Sequence, residues 1–130
     1  MHPIETVRLS EVARSHLVTL KRRTKIANWN TLCRRAFCVS LAEPTVPAPA
    51  KIPADSSVEM SWRTFGGQYQ EVYLALLKER CRADGLELTA EVLAIQFRLH
   101  LHRGIDYLFA DRKSDSIQLF LEKLLPSSKS

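Results

Sequence analysis

Between Asn28 and Glu43 the apolar side chains recur at Trp29, Leu32, Cys33, Ala36, Phe37 and Leu41, that is at i, i+3, i+4, i+7, i+8 and i+12. A strand alternates with a period of two, so this spacing commits the segment to an α-helix with one buried face. Asn28 supplies the N-cap. Glu43-Pro44 ends the helix, because the residue before proline resists the α region. Arg34 and Arg35 fall off the stripe.

A second helix is written just before it. Ser10 can cap it, and Glu11 sits in the first turn, where the helix dipole favours an acid. Leu9, Val12, Ala13, His16, Leu17 and Leu20 trace an apolar face from about Glu11 to Thr24. Arg14, Lys21, Arg22 and Lys25 lie along another face, at i, i+7, i+8 and i+11. Thr6 to Leu9 reads as a short strand with Val7 and Leu9 on one side. Four residues make no sheet alone, so the strand needs a partner, which the same strand of a second chain would supply.

The chain's charge concentrates here. Residues 1–43 carry eight Lys and Arg against three Glu, 8 − 3 = +5, which is the net charge of the whole protein. Residues 44–130 balance at 11 − 11 = 0. This segregation points to a polyanion at the amino-terminal third. The candidate contacts are Lys21, Arg22, Arg23, Lys25, Arg34 and Arg35. Dipole compensation at the first helix's C-terminus is the structural alternative for Lys21 to Lys25.

The 130 residues suit one domain: a basic strand-helix-helix unit over 7–43, a Pro-rich connector over 44–57 and a helical remainder over 58–125. The connector holds Pro44, Pro47, Pro49 and Pro53 and reads as an extended surface segment; a ligand for an aromatic groove is the other use of such composition. Val58 to Phe65 is a short strand or the leading turn of a helix, and Gly66-Gly67 a tight turn. Tyr69, Val72, Tyr73, Leu76, Leu77 and Arg80 suggest a core stripe from Gln68 to Ala83, stopped by Gly85. A helix capped by Thr89 continues to Arg103, and its apolar residues surround more than one face, as in a central helix. Gly104 reads as its stop, Ile105 to Ala110 as a further turn, and Ile117 to Leu125 as a last helix capped by Ser114 or Ser116. The fold class is therefore mainly α, with about five helices.

Chemistry is sparse. His100 and His102 are two apart and point to different sides of a helix, so one packs in the core and the other lies near the surface or a subunit contact. His16 reads as a packing residue. Cys33, Cys38 and Cys81 lack metal-site spacing and read as buried or half-buried thiols. No nucleophile–base motif, phosphate loop or carboxylate cluster stands out, so no catalytic residue, metal or cofactor is assigned and an enzyme is disfavoured. No apolar run is long enough for a membrane span, and the N-terminus lacks an apolar signal core, which makes the cytoplasm the expected compartment. A strand followed by two basic helices suggests a ribbon-helix-helix regulator, in which Thr6 and Arg8 would read bases.

The segments RLSEVARSHLVTLKRRT, NWNTLCRRAFCVSLAEP, KIPADSSVEMSWRTFGG and QFRLHLHRGIDYL resemble the DndE family of DNA phosphorothioation proteins, from about Val7 to Leu108. The resemblance implies a small helical protein likened to ribbon-helix-helix folds. It also implies a homotetramer that binds DNA with a preference for nicked duplex. Such a protein acts beside DndC, DndD and a cysteine desulfurase while sulfur replaces a non-bridging phosphate oxygen. It implies an accessory to that reaction; apart from the resemblance, a DNA nickase using His100 or His102 is the enzymatic alternative. Carried over by motif, the basic residues are Lys21, Arg22 and Arg23 in LKRRT, and Arg34 and Arg35 in LCRRAF. The family commonly has glycine, then lysine two residues on, before NWN; here those places hold Lys25 and Ala27.

Overall fold

A computed structural model describes residues 4–111. The order is β1 (Thr6–Arg8), α1 (Glu11–Thr24), α2 (Trp29–Ala42), β2 (Glu59–Ser61), α3 (Trp62–Gly66), a 3-10 turn (Gly67–Tyr69), α4 (Gln70–Ala83) and α5 (Ala90–Ala110). Helix starts follow local chemistry. Ser10 Oγ accepts from the Ala13 amide at 3.0 Å, Asn28 Oδ1 from Asn30 and Thr31 at 2.8 and 3.3 Å, and Thr89 Oγ1 from Val92 at 3.1 Å. Each cap satisfies a donor that the helix leaves open, worth about 1 kcal/mol. Gly85, at φ 77, closes α4: its amide donates to Arg82 O and that of Leu86 to Cys81 O, a left-handed C-terminal lock.

β1 pairs antiparallel with β2 of the same chain, Thr6 opposite Ser61, Val7 opposite Met60 and Arg8 opposite Glu59. The partner strand is thus intramolecular. Val58 to Phe65 proves to be both things its sequence allowed, a strand (Glu59–Ser61) running into a helical turn (Trp62–Gly66). On its other side the end of β1 is tied to α5. Arg98 donates to Arg8 O at 3.0 Å, and the Ser10 amide donates to His102 Nε2 at 3.1 Å.

α5 is the central helix and packs on α1, α2 and α4. Phe97 meets Phe37 of α2, Trp62 and Phe65 of α3 at centroid distances of 5.3, 5.1 and 4.9 Å. Gly104 does not end α5, which runs on to Ala110. It sits mid-helix because a Cβ there would lie 1.8 Å from Ala36 O of α2. The glycine permits a close helix crossing at a propensity cost of about 1 kcal/mol.

Three further expectations change. α4 buries Leu74, Leu77 and Cys81, of which Leu77 alone lies on the expected stripe; Val72 and Leu76 are exposed, as is Tyr69 in the preceding 3-10 turn. Cys38 is exposed, unlike Cys33 and Cys81. Val12 also faces solvent, at 62% exposure. The helix expected over Ile117 to Leu125 lies outside the described residues.

The connector is laid over the surface and held by three arginines. Arg80 donates to the carbonyls of Leu41, Glu43 and Thr45 at 2.7, 2.6 and 2.7 Å. Arg103 donates to Ser40 O and Thr45 O, both at 2.8 Å. Arg98 donates to Ile52 O and Pro53 O at 2.6 and 2.9 Å.

Candidate nucleic-acid interface

α1 ends in the run Lys21-Arg22-Arg23-Thr24, and Lys25 follows in the left-handed region at φ 64, ψ 13. Among the described residues it is the one non-glycine with positive φ. The turn is tied at several points. The Lys25 amide donates to Lys21 O at 3.0 Å, while Thr24 Oγ1 donates to Leu20 O at 2.7 Å and accepts from the Ile26 amide at 3.3 Å. Asn28 then starts α2. The reversal gathers Val18, Lys21, Arg22, Lys25, Ala27 and Trp29 around an open hollow of about 380 Å3. No carboxylate among the described residues lines it. Arg22 and Lys25 are exposed and Lys21 is half-buried. Lys21 Nζ lies 5.4 Å from the centroid of the Trp29 ring.

The other sequence candidates go elsewhere. Arg23 crosses to the C-terminus of α5, donating to Phe109 O through both terminal nitrogens at 3.1 Å, with its guanidinium 5.5 Å from the Phe109 ring. It compensates the carbonyl end of that helix. Arg34 donates to Phe65 O at 2.8 Å and to Thr31 Oγ1 at 3.3 Å, joining α2 to α3. Arg35 is exposed, but it borders a different hollow, of about 600 Å3, together with Glu43 and Asp111. Those two carboxylates weaken its pull on an anion. Arg8 is paired with Glu59 at 2.7 Å and Arg14 with Glu11 at 2.6 Å. Lys21, Arg22, Lys25 and Arg35 make no ion pair among the described residues. The structure therefore brings three of the six candidates together and separates Arg23, Arg34 and Arg35. Trp29, read from sequence as a stripe residue only, lines the same hollow; its position across a short turn from Lys21 was the available signal.

The histidines serve the interior. His100 is fully buried with Nδ1 2.8 Å from Ser40 Oγ, which accepts from Arg103 Nε at 2.8 Å. Burial, then the charges of Arg103 and Arg80, push the His100 pKa down to about 4. His102 is buried too, not near the surface. Its Nδ1 donates to Arg98 O at 2.9 Å while Nε2 accepts from Ser10, and burial lowers its pKa. His16 stacks on Phe109 at 3.8 Å. Among the described residues, no group of three His, Cys, Asp or Glu is placed to hold a metal, and no helix is long and apolar enough to cross a membrane.

These features define a class: a small, mainly helical protein with a strand–helix–helix unit closed by an internal second strand, and a cationic hollow at the helix–helix turn. The chain belongs to the DndE family, DNA sulphur modification protein DndE, whose family model matches residues 6–116. Its setting is accordingly DNA phosphorothioation. No curated protein sequence matches it. The fold is similar to the crystal structure of DndE from Escherichia coli B7A, described as involved in DNA phosphorothioation modification, with TM-score 0.68 and 24% identity over 83% of this chain and 98% of that one. It is similar also to a glycine-to-lysine mutant of DndE described as involved in DNA phosphorothioation, with TM-score 0.62 and 23% identity over 80% of this chain and 95% of that one.

Proposed function

We propose that this protein is a DNA-binding accessory subunit of the phosphorothioation machinery and holds the DNA backbone at Lys21, Arg22 and Lys25. The observation that carries the reading is the hollow itself, where three cations converge with no carboxylate of the described residues beside them. Phosphates spaced along a strand are the natural counter-charge for such a cluster, and each one neutralised releases condensed counterions. Contacts of this type fix position and carry no base information. The protein would hold duplex, with nicked duplex preferred, for DndC and DndD, which perform the sulfur chemistry with a cysteine desulfurase. It has no catalytic role of its own in this reading. It works in the cytoplasm as a homotetramer, for which the exposed Tyr69, Val72 and Leu76 row on α4 is a suitable face.

The test is fluorescence anisotropy of labelled intact and nicked duplexes over a salt series. Replacing Lys21, Arg22 and Lys25 together by Gln lowers the slope of log affinity against log salt by about 0.9 for each phosphate that is no longer neutralised. Arg23→Gln and Arg35→Gln leave the slope nearly unaltered. Unchanged affinity of the triple variant for both duplexes overturns the assignment.

A further inference from the structure

We propose that Trp29 and the hollow beside it form a seat for one unstacked nucleotide, the indole taking the base and Lys21, Arg22 and Lys25 the flanking phosphates. The inference rests on the backbone-binding reading and adds to it a component that responds to an accessible base.

The geometry is that of a mixed site. Val18, Ala27 and Trp29 give the hollow an apolar floor, and three cations form its rim. Its volume of about 380 Å3 lies within the roughly 300–1,000 Å3 range of small-ligand pockets. Trp29 is only half-buried: part of it packs on the core and the rest borders the hollow. It is held in place, because Asn28 caps α2 one residue earlier. A rigid aromatic face beside unpaired cations is the arrangement that single-stranded nucleic-acid sites use, with stacking for the base and charge for the backbone.

Lys21 now lies over the indole. A phosphate at the rim offers its ammonium a stronger, charge-assisted partner than the ring does. Moving to that phosphate uncovers the ring face, so backbone capture and opening of the base seat are coupled through a single side chain. Bases within an intact duplex are stacked on their neighbours and do not reach the ring. An overhang or a single-nucleotide gap presents one that does.

The experiment compares intact duplex with the same duplex carrying a single-nucleotide gap or a short overhang, for the wild type, Trp29→Leu and Trp29→Phe. In the expected result Trp29→Leu loses about tenfold more affinity on the gapped and overhang forms than on intact duplex. Trp29→Phe, which retains a ring, recovers most of the loss. Trp62 is 3% exposed, so acrylamide-accessible emission of the wild type comes from Trp29. That emission is quenched by gapped DNA and not by intact duplex. Equal losses on every DNA, or no gap-dependent quenching in the wild type, overturn the seat. The second readout holds even if Trp29→Leu fails to fold. If the seat fails while neutralising the three cations still weakens duplex binding, the backbone reading stands. If that neutralisation also has no effect, the underlying reading has failed too.

Discussion

Lys25→Gly separates stability from binding at a single position. Lys25 sits at φ 64, ψ 13, a conformation that costs an L-residue about 1–2 kcal/mol. Glycine adopts it freely, though it gives back about 0.4–1 kcal/mol through the larger entropy of its unfolded chain. The side chain makes no hydrogen bond or ion pair among the described residues, so little packing is removed. The expected net is a gain of about 0.5–1 kcal/mol, read as a higher urea midpoint at constant m-value. Binding moves the other way. Giving up one phosphate lowers the salt slope by about 0.9, so across a roughly fourfold range, from about 50 to about 200 mM, the gap between variant and wild type shrinks about 3.5-fold. Urea unfolding and anisotropy titrations on the same preparation give both numbers. A destabilised variant would refute the left-handed turn, and an unchanged slope would remove Lys25 from the interface. A variant that is more stable yet binds less cannot be dismissed as misfolded.

Three further outcomes follow from the packing. Gly104→Ala must separate α5 from α2 by roughly 1.6 Å, the difference between 1.8 Å and an ordinary 3.4 Å contact; despite about 1 kcal/mol of helix propensity gained, a net loss of at least ~2 kcal/mol is expected in urea unfolding. Arg80→Leu strips the carbonyls of Leu41, Glu43 and Thr45 of their donor and leaves the nearly buried Asp84 without its cation; a loss of about 2–4 kcal/mol is expected, with faster proteolysis of the connector. His100 is held neutral down to about 4 while its unfolded counterpart takes a proton near 6.5, so the unfolded state binds more protons and stability falls as pH drops through that window. His100→Gln keeps an acceptor for Ser40 and should flatten the acid limb of urea midpoints, leaving the smaller contribution of His102, which has the same sign.

What could be read in advance was whatever neighbours in sequence decide. Ser10, Asn28 and Thr89 cap the helices they were expected to cap, because a cap needs only an oxygen and amides two or three residues on. The α2 stripe buries as its spacing requires, and α5 is central because it is apolar on more than one side. α4 was ambiguous for a physical reason. Tyr69, Val72 and Leu76 form one apolar row and Tyr73, Leu77 and Cys81 another, and periodicity does not say which faces the core. Gly104 had two meanings, a helix stop or a close approach, and Ala36 across the interface decides between them. The destinations of the arginines were not legible at all. Arg23 reaches Phe109, 86 residues away, and Arg98 reaches Arg8, 90 away, so a count of charge at the amino terminus overstated the number of cations free for DNA. The cluster at the turn survives because Lys21, Arg22 and Lys25 are local to one another.

The long reach of the bonds around β1 has a consequence for synthesis. Its bonds reach forward to Val58 and Trp62, and beyond them to Arg98 and to His102, 92 residues after Ser10. A ribosome adding roughly 5–20 residues each second therefore releases the first strand well before its anchors exist. A truncated nascent chain ending before His102 leaves the Ser10 amide without that acceptor.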